Sequence, residues 1–380
     1  MIWLGATLLV LTLGLLIETG LGLRRLVQLG DCPPRSSEGA PTVSIVIAAR
    51  DEQLHIEAAV RTMLAQDYPA LELIAVDDRS SDRTGAILDA LALADPRLRV
   101  VHVTELPAGW LGKNHALQVG ADRATGDWVL FTDADITMAP TALRRAIGHV
   151  ERHRVDHLAV APRLAMPGLL LEAFIVNFLF SFLVFARPWK AKDPKSSFFV
   201  GVGAFNLVRR SAYQAVDGHR RIALRPDDDM KLGKVLKRAG FRQDALLGRG
   251  QLEVEWYQSF GQMVRGFEKN MFAGVDYSIP LSIAGGITQL ATGPLPWVLF
   301  VTTTGPARVL FGLQVLLSIA VFWWLSRQAA VRPHVALIYP VVIVLFVYIL
   351  WRTMIHNLVH GGLQWRGTFY SLRELKANRV

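Results

Sequence analysis

The sequence predicts an α/β domain with a mostly parallel sheet, accompanied by apolar segments long enough to enter a membrane. Three observations carry this reading. Between residues 42 and 165, short β-branched runs alternate with helix-period stretches, the pattern of successive βα units. Hydrophobic residues make up 52% of the 380, and the mean hydropathy of +0.31 is high for a soluble protein. Residues 2–23 hold a single charge, Glu18, while residues 277–307, 309–326 and 333–351 hold no Asp, Glu, Lys or Arg. Each is close to the roughly 20 residues that span a hydrocarbon core.

Residues 1–23 read as a transmembrane anchor that is retained. A signal peptide carries its basic residues before the apolar run, whereas Arg24 and Arg25 follow it here. By the positive-inside rule these arginines place the next domain in the cytoplasm, at a cell (inner) membrane. Residues 24–41, with Pro33, Pro34, Gly39 and Pro41, read as a linker. The strands that follow are expected at VSIVIAA (43–49), LELIAVDD (71–78), RVVHV (99–103), WVLFTDAD (128–135) and HLAVAP (157–162), with helices near 53–66, 82–94, 113–124 and 140–153.

The stretch GLLLEAFIVNFLFSFLVFARPWK (168–190) is too apolar for an exposed helix, yet Glu172 and Asn177 interrupt it. An interfacial helix fits, with Phe174, Phe178, Phe182 and Phe185 dipping into the acyl region and Arg187, Trp189 and Lys190 near the head groups. A buried core helix is the alternative. Residues 276–351 supply membrane helices, and 352–380 a basic tail in which Glu374 alone offsets Arg352, Arg366, Arg373, Lys376 and Arg379. Keeping that tail in the cytoplasm needs two full crossings, about 307–327 and 335–351. Residues 279–303 are then re-entrant or interfacial, broken by Gly285-Gly286 and Pro294-x-Pro296.

The net charge of +9 comes from scattered Lys and Arg with no nucleic-acid motif, so attraction to anionic lipid explains it better than nucleic acid does. A lone cysteine, Cys32, excludes an intramolecular disulfide and agrees with a reducing compartment. A transporter would need polar residues within its spans, and these have almost none.

Acidic residues stand at the carboxyl ends of three expected strands: Asp51 after the first, Asp77 and Asp78 closing the second, Asp133 and Asp135 closing the fourth. In an open α/β sheet that edge is where ligands bind. The pair in TDAD (132–135), two residues apart after a buried strand, can offer oxygen ligands to one hard divalent cation, Mg2+ or Mn2+. A turn with an Asx hydrogen bond into the next helix is the plain alternative for an isolated Asp-x-Asp.

VSIVIAARDE, VDDRSSDRT and GKNHALQVGADRATGDWVLFTDAD, in this order, resemble the nucleotide-sugar-binding half of the family 2 glycosyltransferases, whose fold is called GT-A. The resemblance runs over about residues 42–275. The flanking membrane segments make it similar to the branch containing ceramide glucosyltransferases and the transferases of carotenoid and hopanoid pathways. It implies an inverting transfer from a nucleotide-sugar donor to a lipid acceptor at the membrane, with a divalent cation. Asp51 and Asp78 match the residues contacting the nucleoside, Asp133 and Asp135 the metal motif with Asp135 the direct ligand, and Lys113 a lysine near the phosphates.

RPDDDMKLGKVLKRAG (225–240) resembles the segment carrying the family's general base, with Asp229 favoured over Asp228. Asp is also a favoured helix N-cap, so a purely structural role is the competing reading. Gln262 and Arg265 match the start of the family's acceptor-side element, but Gly266 replaces its tryptophan, which argues against a processive polysaccharide synthase. Lys231 stands where a second acid is frequent. A catalytically silent scaffold would have lost some of these acids, and none is missing; transfer of a sugar phosphate stays open on sequence alone.

Overall fold

The computed structural model describes residues 1–380. They divide into two compact units: Arg25–Arg163 with Pro188–Glu255 and Ala377–Val380, and Met1–Arg24 with Leu164–Arg187 and Trp256–Lys376.

The first unit is built on a sheet of eight strands: β1 (Val27–Gln28), β2 (Val43–Ala49), β3 (Leu71–Asp78), β4 (Leu98–Val103), β5 (Trp128–Asp133), β6 (His157–Ala161), β7 (Asn206–Arg209) and β8 (Gln243–Leu247). Their order is β1-β8-β6-β7-β5-β2-β3-β4. All neighbours are parallel except at β7, which runs antiparallel to both β5 and β6. The sheet is therefore the mostly parallel α/β architecture that the alternating runs predict. Its central strands read as continuous apolar runs because both faces are covered, and Ile45, Ile47, Leu73 and Leu130 have no exposed surface. Helices Ile56–Leu64, Thr84–Ala94, Gly112–Ala121 and Ala142–His153 fall in the four expected intervals, with ends that differ by up to three residues.

Residues 25–32 pack as part of this unit. β1 adds an edge strand beside β8. Leu29 is fully buried, and Arg145 donates to the carbonyls of Gly30 and Cys32. Cys32 Sγ lies 3.6 Å from His149 Nδ1, and Asp244 holds the other ring nitrogen at 3.0 Å. The proline-rich composition of 31–41 conceals this, since pairing at a sheet edge needs only two residues.

The second unit is mainly helical and includes one antiparallel hairpin, Gly362–Trp365 with Thr368–Ser371. The chain has four helices long and apolar enough to cross a membrane: Ile2–Leu23, Leu169–Lys190, Gly305–Gln328 and Pro333–Val359. Two ion pairs lie within the helical unit, Glu18 with Arg187 at 3.1 Å and Glu172 with Arg332 at 2.8 Å. The four phenylalanines expected on one lipid-facing side do not share an environment. Phe174 is buried between Phe267 and Phe346, Phe178 packs on Trp256 and Phe267, and Phe185 is exposed. Their spacing of four, four and three residues holds one helix stripe, and neighbouring aromatics cover its first half.

The 279–303 segment forms two helices, Ile279–Thr292 and Pro294–Thr302, that meet at Gly293. Pro294 opens the second, a position where its missing N–H costs nothing. Gly285 and Gly286 do not break the first; Gly286 lies where a Cβ would run into the Trp351 indole, so its absence admits that ring.

Candidate active site

The carboxyl edge of the parallel strands gathers the acids. β2 ends just before Asp51, whose φ of 55° is left-handed, a conformation Asp tolerates better than most residues. Its carboxylate accepts from the Ser81 N–H at 2.7 Å and the Ser81 hydroxyl at 3.1 Å, tying the β2 loop to the β3 loop. Asp78 closes β3, is 3% exposed, and takes a bidentate pair of bonds from Arg79 at 2.8 and 3.1 Å. Asp77 beside it bonds His102 Nδ1 at 3.0 Å.

β5 delivers Asp133 and, two residues later, Asp135. Lys113, in the first turn of helix Gly112–Ala121, places Nζ 2.8 Å from Asp133 Oδ1 and 3.5 Å from Asp228 Oδ1. Burial opposes the charge on Lys113, but Asp133, Asp228 and Asp229 outweigh it and hold the ammonium above its usual pKa. Asp135 goes the other way. Burial first, then the charges of Asp133 and Glu52, push its carboxyl up to about 7. Two carboxylates that resist ionising together are a donor set that a divalent cation relieves, so Asp133 and Asp135 fit such an ion. No group of three or more His, Cys, Asp or Glu side chains converges as a complete metal cage. An ion held there would draw its further ligands from oxygens elsewhere, such as a diphosphate.

The three consecutive acids at 227–229 have separate surroundings. Asp227 is taken by Arg225, at 2.9 and 3.1 Å, and by Lys231 at 3.3 Å. Arg225 and Lys231 are both almost fully buried, so this trio is structural, and it explains the cation at position 231. Asp228 is buried and faces Lys113. Asp229 accepts from the N–H of Gly203 at 2.7 Å and from the N–H of Met230 at 2.7 Å. Burial raises its pKa, against the pull of Lys113.

Gly203 is the mechanical link between the two halves of this cluster. Its N–H donates to Asp229, and its carbonyl accepts from the N–H of Asp133 at 3.0 Å. Beside it, a Cβ on Gly201 would collide with the Asp229 carbonyl, and a Cβ on Gly233 with the Val200 carbonyl. Strand β7 follows directly, so the loop 200–203 is clamped between the sheet and the start of helix Asp228–Arg238.

Asn114 adds a second brace, donating to the carbonyls of Ile222 at 2.8 Å and Arg225 at 2.9 Å. A small cavity opens beside Lys113, Asp133, Asp228 and Asp229, with Phe131 and His219 in its wall. His219 is kept neutral at the usual pH, its pKa lowered to about 3 by burial and by the charge of Lys113, and its Nδ1 lies 2.9 Å from the Tyr213 hydroxyl. Sequence reading missed Gly201, Gly203, Asn114, Arg225 and His219. Only VGVG (200–203), a glycine pair straddling one residue, offered a local signal.

The structure thus brings Lys113, Asp133, Asp228 and Asp229 together, with the charge of Asp133 acting on Asp135, and places Asp51 and Asp78 on the same strand edge. Gln262 and Arg265 belong to the helical unit, on helix Phe260–Glu268, where Gln262 Oε1 accepts from the Gln258 N–H at 2.8 Å. A Cβ at Gly266 would run into the Tyr257 ring, which stacks on Trp256. Tyr257 and Trp256 therefore put aromatic surface where the missing tryptophan side chain would start.

Residues 44–216 match the family model described as Glycosyl transferase family 2. The chain is 24% identical over 250 residues, 65% of each chain, to the 4,4'-diaponeurosporenoate glycosyltransferase of Staphylococcus haemolyticus. It is 38% identical over 109 residues, 28% of this chain and 22% of the relative, to the beta-monoglucosyldiacylglycerol synthase of Synechocystis. The chain thus spans less than two thirds of the length of these relatives. Among solved structures, a mannosyltransferase from Pyrobaculum calidifontis in complex with GDP-Man and Mn2+ superposes with a TM-score of 0.58 at 18% identity, over 90% of this chain and 98% of that one. That likeness is one of fold, the GT-A type.

Proposed function

We propose that this protein, whose residues 44–216 match the Glycosyl transferase family 2 model, transfers a sugar from a nucleotide-sugar to a hydroxyl group of a lipid, inverting the anomeric centre. The observation that carries the reading is the single cluster of Lys113, Asp133, Asp228 and Asp229 at the carboxyl edge of the sheet. Asp229 removes the proton from the acceptor hydroxyl as that oxygen bonds to the anomeric carbon, and the bond from that carbon to the diphosphate oxygen breaks. Its raised pKa suits a base that must take up a proton. Lys113 offsets the charge of the diphosphate, with Asp228 holding its ammonium in place. Asp51 and Asp78 face the nucleoside. Asp133 and Asp135 would hold a divalent cation, which supplies Lewis-acid stabilisation of the departing diphosphate.

A lipid acceptor is supported by the apolar helices and by the relatives, one named for a carotenoid acid and one for a diacylglycerol product. The test is purified protein in lipid nanodiscs given several nucleotide-sugars and total membrane lipid, followed by mass analysis. We expect a glycosylated lipid and free nucleoside diphosphate. Release of nucleoside monophosphate would mean sugar-phosphate transfer, and efficient glycosylation of a freely soluble acceptor would remove the lipid assignment.

Chain continuity supports a topology. Leu164–Arg187 leaves the sheet unit and returns to it, as does Trp256–Lys376, because Ala377–Val380 pack back into the sheet unit. One folded unit lies on one side of a bilayer, so each excursion crosses an even number of times. Helix Leu169–Ala186 is then not a lone crossing, and Gly305–Gln328 and Tyr339–Val359 form a pair. Arg24 and Arg25 after the first helix support a cytoplasmic sheet unit by the positive-inside rule. A reporter fused after Val380 should be active in the cytoplasm; activity only outside it would reject this arrangement.

A further inference from the structure

We propose that Asn378 is a positioning residue for the transfer reaction, clamping the backbone of Arg221–Leu224 and through it the acidic start of helix Asp228–Arg238. This rests on the transferase reading above. The Asn378 side chain uses both ends of its amide: Oδ1 accepts from the Leu224 N–H at 3.0 Å, and Nδ2 donates to the Arg221 carbonyl at 3.1 Å. Val380 packs against the core cluster that contains Ile222, Phe131 and Leu232. Residues 377–380 are thereby docked onto a segment more than 150 positions earlier in the chain, and belong to the sheet unit although the residues just before them do not.

The clamped segment has no regular ladder of its own. After the 3-10 turn Gly218–Ile222 it runs through Ala223 and Leu224 to Arg225, and its backbone groups are met by side chains and a loop. Asn114, next to Lys113, takes the carbonyls of Ile222 and Arg225, and the Leu111 N–H donates to Ala223. Asn378 supplies two further contacts, at Arg221 and Leu224, while the Arg225 N–H closes a turn onto the Ile222 carbonyl at 2.9 Å. Downstream, Arg225 is locked to Asp227, and Asp228 and Asp229 follow immediately. A displacement at Leu224 is therefore passed to the proposed base over five residues, with one buried ion pair between. Asn suits the position because its short amide carries an acceptor oxygen and a donor nitrogen on separate atoms, one for each strand of the turn it holds.

Steady-state kinetics and amide hydrogen exchange of Asn378→Ala and Asn378→Asp test the proposal. Asn378→Ala should lower kcat about tenfold, the scale of two lost hydrogen bonds, with donor KM within about twofold. Exchange at Leu224 and Arg225 should quicken. Asn378→Asp keeps the acceptor for Leu224 but loses the donor to Arg221, and should recover part of kcat. An unchanged kcat, unchanged exchange, or kcat, KM and melting temperature falling together in both variants would overturn it. If the unmodified protein transfers no sugar at all, the functional reading fails, while the exchange measurement still decides whether the clamp exists.

Discussion

Replacing Asp135 by alanine is expected to lower turnover by at least about 10²-fold, the rate equivalent of several kcal/mol of cation stabilisation, and to leave the fold intact. Asp135 follows strand β5 rather than lying in the core, and its ionised form is disfavoured by burial, Asp133 and Glu52. The sign of its pH dependence follows. Its carboxyl is raised to about 7, above the unfolded value, so the stability it contributes is present in acid and lost as pH rises through about 7. Cation binding needs the ionised form, so affinity for Mn2+ should increase over the same range, by up to about tenfold per pH unit below 7. Mn2+ titration followed by electron paramagnetic resonance at pH 6 and 8 checks this, and thermal melts in chelator check the stability. Full turnover in excess chelator, or wild-type Mn2+ affinity in Asp135→Ala, would remove the cation assignment.

The second large effect is at the start of helix Asp228–Arg238. Asp229→Asn should cut kcat by roughly 10² to 10⁴, the range of general-base contributions, with donor KM nearly unchanged. A structural cost accompanies it. Both Asp229 oxygens accept a backbone N–H, and an amide has only one acceptor oxygen, so one bond worth about 1 kcal/mol is lost. That loss alone cannot yield a hundredfold fall in kcat in protein that remains folded. Asp228→Asn should act mainly on donor KM, because it loosens Lys113 rather than removing the proton acceptor. If Asp228→Asn proves more damaging to kcat, the base is Asp228. Circular dichroism of both variants separates unfolding from lost chemistry.

The first half of the sheet was legible because parallel strands covered on both faces leave unbroken β-branched runs, and because acids close three of them. In the second half only β6 was legible, as HLAVAP (157–162). β7 has four residues and runs against its neighbours, β1 has two, and neither leaves a periodic trace. The identity of the acidic cluster was legible as residue type, but its division of labour was not. Nothing local in DDD reveals that Asp227 is committed to Arg225 and Lys231 while Asp229 holds Gly203. Such assignments depend on contacts between residues far apart in the chain, as Gly203 with Asp229 and Asn378 with Leu224 show. The same limit applied to Phe174, whose burial depends on Phe267 and Phe346.

The close approach of loop 200–203 to helix Asp228–Arg238 bears on how variation in this protein should be interpreted. Any side chain at Gly201 or Gly233 drives a carbon into a main-chain carbonyl, and neither backbone can retreat without dragging Asp229 or Asp133 with it. In a library of random substitutions selected for activity, both glycines would be purged as thoroughly as the aspartates. A frequency profile from that library would rank them as reactive residues, although neither has a side chain to react.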